Sequence, residues 1–329
     1  MSDDTLVARS QNDGQNEDDN EPERDDDAPP LRYRIRHLTR YAYGGEVVHS
    51  HQMLRLTPRP MPHQRTLSHS VFVTPQPAVR VDSTDAFGNP VTRLQLDRPH
   101  DFLAVDAQMV VDVYERPTRP AASSAPWDTL ATSLTYAAQA LTPEDLEVRR
   151  YRSESPFVRI KHSFSDYSRE CFGARVPVLV GAEALMQKIH EEFTYAPGET
   201  EIATPLLEVL EQRRGVCQDF AHFMIACLRS QGLAARYVSG YLRTQPRADT
   251  VRDELVGADA SHAWVAVYAP PFGWVALDPT NNMRVGRDHV TLAWGRDFGD
   301  VSPLRGVILG GGQHDLTVNV AVKPIPLAS

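Results

Sequence analysis

Between residues 31 and 114, turn-forming residues interrupt the chain at short intervals, and no other feature limits the fold as much. The strand-like runs are 31–43, 53–58, 70–75, 79–81, 91–96 and 103–114. Between them lie Gly44-Gly45, the proline cluster from Pro58 to Pro62, Pro75 to Pro77, and Asp85-Ala86-Phe87-Gly88-Asn89-Pro90. Short β-rich runs at this spacing predict an all-β sandwich or barrel domain over about 31–117. Residues 117–126 read as a linker, and from there to residue 231 the texture is helical. Helices are predicted at 130–141, 143–150 and 181–193. A further one starts at Thr204-Pro205, with threonine at the N-cap and proline at N1. Strands follow at 235–242, 260–268, 274–277, 289–294 and 316–322. The order gives an α+β protein: an N-terminal antiparallel β domain, then a mixed core.

Charge is segregated. Residues 1–30 hold eleven acids and two bases, a charge of −9, which is the net charge of the whole chain. The first 30 residues, nearly devoid of apolar side chains, are predicted to be a disordered acidic tail. The remainder is neutral and offers neither nucleic acid nor an anionic membrane a complementary surface. No apolar run of 18 residues occurs, and no charged-then-apolar leader opens the chain. Three cysteines do not make a disulfide scaffold. Cys217 and Cys227, ten residues apart on one predicted helix, are separated by about 15 Å. The expected location is the cytoplasm.

The helix predicted over 217–231 has Ala221, Met224, Ile225 and Leu228 on one face and Gly232 placed to stop it. Cys217 opens its first turn. Unpaired N–H groups and the positive end of the helix dipole favour a thiolate there. Gly215 lets the backbone bend and leaves room for a substrate. The Cys217 N–H is a candidate donor to an oxyanion.

A thiol nucleophile needs a base, and the base needs an orienting group. Ser261-His262-Ala263-Trp264 opens one strand and Leu277-Asp278-Pro279-Thr280 closes the next. A hairpin centred on Pro270 sets His262 directly opposite Asp278, with Cβ atoms about 5 Å apart. A carboxylate there accepts the imidazole N–H and fixes its tautomer. A slip of one residue turns Asp278 to the other face.

Other polar residues carry less. Cys227 reads as a core thiol, and Cys171 as structural. Asp219 complements the helix dipole. His222 lies about 140° around the helix from Cys217, out of reach as its base. Tyr195 is the upstream candidate for a second oxyanion donor, and Gln218 a cleft candidate. His49, His51, His63 and His69 lack metal-ligand spacing, so no metal or cofactor is expected. Trp264 and Trp274 are expected to pack the hairpin.

Three blocks resemble the transglutaminase-like core: Gly-Val-Cys-Gln-Asp-Phe-Ala at 215–221, Ser-His-Ala-Trp-Val at 261–265 and Gly-Trp-Val-Ala-Leu-Asp-Pro-Thr-Asn at 273–281. Tyr33-Arg34-Ile35-Arg36-His37 and Asp85-Ala86-Phe87-Gly88-Asn89 resemble the N-terminal domain of bacterial transglutaminase-like proteins. Gly286-Arg287-Asp288-His289-Val290 and Gly295-Arg296-Asp297 extend the likeness. The resemblance implies a papain-like α+β core and acyl transfer through a thioester on Cys217. His262 would be base then acid, and Asp278 the orienter. His289 fits the pattern, with a structural hydrogen bond as its expected part. Calcium, used by animal transglutaminases, has no EF-hand-spaced loop here. The expected division is a tail (1–30), the β domain (31–117), a linker with helices (118–180) and a core with C-terminal strands (181–325). The expected function is hydrolysis of an amide or peptide bond, the substrate being a peptide, a protein or a small amide. Transamidation and an inert binding module are the alternatives. No oligomeric state follows from the sequence.

Overall fold

The computed structural model describes residues 29–135, 142–243 and 261–327. Most of the predicted tail, the end of the helix read at 130–141 and the first residue of the strand read at 260–268 lie outside them.

The chain opens with β1 (Leu31–Leu54), β2 (Gln64–Thr74), β3 (Val79–Thr84), β4 (Pro90–Leu96) and β5 (His100–Val113). Helices α1 (Trp127–Ser133), α2 (Pro143–Arg150), α3 (His162–Ser168) and α4 (Val178–Glu192) follow. Then come β6 (Thr194–Tyr195), α5 (Leu206–Gln212), β7 (Arg214–Gly215) and α6 (Cys217–Ser230). The remainder is β8 (Ala235–Leu242), β9 (His262–Tyr268), β10 (Trp274–Asp278), β11 (Met283–Arg284), β12 (His289–Gly295), α7 (Phe298–Val301), β13 (Leu304–Gly310) and β14 (His314–Ile325).

The N-terminal strands form an antiparallel sheet of order β2-β5-β1-β4-β3, to which β13 and β14 add by pairing with β1. β1 is long enough to serve two groups of partners. Residues 32–42 lie between β5 and β14, and residues 50–54 between β4 and β13. Gly44-Gly45, expected to be a turn, therefore lies inside a strand. Their N–H groups donate to the carbonyls of Gln313 and Gly311, at 2.7 and 3.0 Å. The last two strands, next to the core in sequence, complete the N-terminal sheet instead.

The core has a second antiparallel sheet, β11-β10-β9-β8-β12, with α6 packed on β8 and β9. The amphipathic pattern of α6 understates its burial. Every residue from Asp219 to Arg229 is buried. Arg229 meets the cost of this by donating to the carbonyls of Tyr151, Ser153, Ala235 and Arg296. Gly232, at φ +80°, follows the helix where a left-handed residue was expected. α2 begins at a capping box in which Thr142 and Asp145 satisfy one another's N–H groups. α3 lies in the stretch read only as helical in texture, and α7 had no reading in the sequence.

Candidate active site

Cys217 sits at the first position of α6, after Val216 in extended conformation. Gly215 is needed here for close approach, not for a left-handed turn. A Cβ on it would lie 2.6 Å from Asp219 Oδ2. That carboxylate folds back to accept the Val216 N–H at 2.8 Å and the Thr200 hydroxyl at 2.7 Å. Asp219 thus closes the helix start with a specific hydrogen bond, beyond complementing the dipole. Burial raises its pKa, and the two donors oppose the shift. Cys217 retains a sliver of solvent contact, 8% exposed, whereas His262 and Asp278 are sealed.

β9 and β10 form the expected hairpin in a different register. Tyr268 pairs with Trp274 and Val265 with Leu277, so the five-residue turn centres on Pro271. Carried on, this register sets Asp278 opposite Trp264, two residues along from His262. A shift of two keeps the side chain on the same face. The diagonal neighbours still meet, with His262 Nε2 2.9 Å from Asp278 Oδ2.

The carboxylate is held from several sides. Oδ1 accepts the backbone N–H groups of Thr280 and Asn281, at 3.0 and 3.3 Å. Oδ2 accepts His262, Asn281 Nδ2 at 2.8 Å and His289 Nε2 at 3.1 Å. One oxygen caps a turn and the other holds two imidazoles. Burial opposes charge on Asp278, but His262, through charge and hydrogen bond, and the His289 hydrogen bond keep its carboxyl well below the usual range. Burial likewise opposes charge on His262. The Asp278 charge, then the Cys217 thiol and the hydrogen bonds, outweigh it and push the ring up to about 10. With Nε2 donating to Asp278, the buried Nδ1 has no nitrogen or oxygen partner among the described residues, which leaves it for the thiol proton.

His289 was the residue whose chemistry the sequence did not disclose. It is fully buried and packs edge-on against Trp264 with centroids 5.3 Å apart; burial lowers its pKa, against the opposing pull of Asp278. His262, Asp278 and His289 offer ligand atoms within 4.8 Å of one another, the one such cluster among the described residues. A metal ion there would have to replace the hydrogen bonds that already join them.

The remaining candidates are dispersed. Tyr195 pairs across β6 with Gly215 of β7, and its ring meets Phe220 edge-on, centroids 6.4 Å apart. Gln218 is half-buried and donates from Nε2 to the Ile202 carbonyl at 3.3 Å, which ties it to the loop before α5. His222 accepts the Phe298 N–H on Nε2 at 3.0 Å and is pulled down to about 3 by burial, so it is no base for Cys217. Cys227 is wholly buried and Cys171 partly, and burial raises both thiols. All three cysteines are free. Trp274 stacks on Arg236, 4.3 Å from its ring centroid, while Trp264 packs against both histidines.

Residues 33–112 match the bacterial transglutaminase-like N-terminal region, and residues 166–279 the transglutaminase-like superfamily. An uncharacterized protein of Mycobacterium tuberculosis is 36% identical over 304 residues, 90% of this chain and 93% of that protein. The chain belongs to the transglutaminase-like superfamily. A shorter stretch of 102 residues, 30% of this chain and 15% of the other, is 32% identical to a protein-glutamine gamma-glutamyltransferase of Pseudomonas aeruginosa. Among solved structures, a proposed cysteine protease from Cytophaga hutchinsonii shares the fold, with TM-score 0.69 and 19% identity over 92% of this chain and 93% of that one. No helix among the described residues is long and apolar enough to cross a membrane.

Proposed function

We propose that this member of the superfamily is a cysteine peptidase or amidase that cleaves an amide or peptide bond through a thioester on Cys217. The observation carrying the proposal is the buried His262–Asp278 pair at 2.9 Å beside the thiol that starts α6. His262 Nδ1 takes the thiol proton, and Asp278 supports the imidazolium. The sulfur attacks the carbonyl carbon, and the oxyanion draws on the Cys217 N–H, with Tyr195 as the second candidate donor. As the C–N bond breaks, the proton on Nδ1 passes to the leaving amine. Water, deprotonated by the same nitrogen, attacks the thioester. A C–O bond forms, the C–S bond breaks and the sulfur is regenerated. The substrate is a peptide, a protein or a small amide. Three free cysteines fit a reducing cytoplasm.

A transamidase, in which an amine replaces water, is the second reading. It is favoured by the likeness of 102 residues to the gamma-glutamyltransferase. Alkylation by iodoacetamide as a function of pH, read by peptide mass spectrometry, tests the shared step. Cys217 should label faster than Cys171 and Cys227 at neutral pH, and His262→Ala should slow it by about 10²-fold. Labelling of Cys217 at the rate of an ordinary thiol, indifferent to His262, would sink the enzyme reading. With a cleavable amide in hand, an excess of primary amine separates the two readings. Amide product supports transfer, and acid alone supports hydrolysis.

A further inference from the structure

β12 lies at the end of the core sheet. One of its edges pairs with β8, and the other faces no strand among the described residues. An unpaired strand edge buried in protein leaves N–H and C=O groups without partners, which is costly. Two primary amides from the N-terminal region fill that edge, together with the Arg59 N–H, which donates to the Thr291 carbonyl at 3.3 Å. Gln64 accepts the Thr291 N–H at 2.7 Å and donates to its carbonyl at 2.8 Å. Asn89 accepts the Trp294 N–H and donates to its carbonyl, both at 2.9 Å. Each amide copies the donor-and-acceptor pair of a neighbouring strand.

Asn89 itself is locked. The Asp85 carboxylate accepts the N–H groups of Phe87 and Asn89, at 2.9 and 3.0 Å, and the Asn89 side chain at 3.1 Å. Gly88 turns at φ +75°, a conformation open to glycine. The Asp85-to-Asn89 block is therefore a device for presenting one amide to the core.

β12 begins with His289, whose Nε2 reaches Asp278. We propose that the N-terminal sheet belongs to the apparatus that orients the candidate dyad: Gln64 and Asn89 fix β12, and β12 delivers His289 to the Asp278 carboxylate. His289 is a positioning residue here, acting on His262 through Asp278. The inference rests on the cysteine-enzyme reading above. The titratable and charged groups around His289 are Asp278 at the end of β10, His262 on β9 and Arg116 after β5. Cys217 on α6 completes the set through His262.

The test is the pH profile of Cys217 alkylation, which needs no substrate. Without the His289 donor, Asp278 Oδ2 loses one of the contacts that fix its place opposite His262 Nε2, and a displaced carboxylate supports a protonated His262 less well. In His289→Leu, half-maximal labelling should move up by about one pH unit, with labelling about tenfold slower at neutral pH. His289→Gln retains an N–H donor and should recover part of the loss. Asn89→Asp keeps the shape but turns an oxygen toward the Trp294 carbonyl. It should shift the midpoint the same way by a smaller amount, about two- to threefold in rate. A folded His289→Leu with the wild-type midpoint overturns the proposal. So does an Asn89→Asp that lowers the melting temperature and leaves the midpoint in place, because the amide is then only structural. If His289→Leu does not fold, the midpoints of His289→Gln and Asn89→Asp decide. His262→Ala distinguishes the two levels of failure, since a wild-type profile in that variant overturns the enzyme reading itself.

Discussion

Two histidine–aspartate pairs in this protein have the same length and opposite surroundings. His262 and Asp278 meet at 2.9 Å with both side chains sealed from solvent. His49 and Asp97 also meet at 2.9 Å, with side chains 39% and 44% exposed. Distance does not separate them. At the surface, water solvates each partner with or without the other, and salt screens what remains. In the interior each partner depends on the other for its charge, and the environment, not the contact, makes the pair chemically useful. Around Asp278 the backbone N–H groups of Thr280 and Asn281 and the side chains of Asn281 and His289 complete the shell. The exposed pair extends instead to His51 and Gln95, side chains on the solvent face of a strand pair.

That contrast can be broken or sharpened by measurement. The largest difference should appear in reactivity. Asp278→Asn preserves the shape but favours the wrong imidazole tautomer. It should slow any thioester-forming reaction by about 10² to 10⁴-fold, whereas Asp97→Asn should leave the rate within twofold of wild type, on the order of error. Single-turnover rates, or alkylation rates for Cys217, check both. Equal losses would mean that the buried pair is not special.

Stability should follow with a smaller spread. Asp278→Ala strands His262 and His289 without their acceptor and should cost about 3–5 kcal/mol, measured by urea unfolding. Asp97→Ala should cost less than about 1 kcal/mol.

The pH dependence carries the next effect, and its sign differs between groups. His262, raised to about 10, stabilises the fold fully below pH 6.5 and loses that contribution as pH rises through 10. Asp278, depressed, contributes above its unfolded value of 3.8 and loses that contribution as pH falls. His222 and His37, pulled to about 3 and about 4 by burial, act oppositely to His262. Below pH 6.5 the unfolded chain takes up protons that these folded rings refuse, so stability falls as the pH is lowered toward 4. The loss should be on the order of a few kcal/mol. In His222→Gln the slope of urea midpoint against pH between 6.5 and 4 should flatten; an unchanged slope would mean that His222 does not titrate as its burial requires. The smallest effect is reserved for the exposed pair. His49→Gln should leave the stability within about 0.5 kcal/mol of wild type, read from the urea midpoint.

Features set by neighbours in the chain could be read from the sequence. Cys217 at a helix start and Gly232 past the end of that helix follow from dihedral preferences and from the N–H groups a helix leaves unpaired. The cap read at Thr204 does not form: α5 starts at Leu206 after Pro205, and the Thr204 hydroxyl turns back to accept the Glu201 N–H at 2.9 Å. The pairing of His262 with Asp278 was legible because a hairpin brings residues of similar separation together. Its register was not, because the turn centres on Pro271 and the two residues meet diagonally.

Partners remote in sequence were decided by the tertiary structure alone. Gly44-Gly45 has turn chemistry but continues β1, because β14 and the loop before it, with Gly311 and Gln313, come from the far end of the sequence to pair with it. β13 and β14 read as part of the core and pair with β1. His289 gave no chemical signal until β12 set it against Asp278, and the Gln64 and Asn89 amides gave none until they met Thr291 and Trp294. The sequence by itself determined the α+β class, an N-terminal β region followed by a mixed core, and the three residues at the centre of the candidate site. The tertiary structure decided which buried donors and acceptors satisfy one another. Local conformational preference acts over a few residues, whereas a buried polar group takes whatever partner the whole fold brings to it.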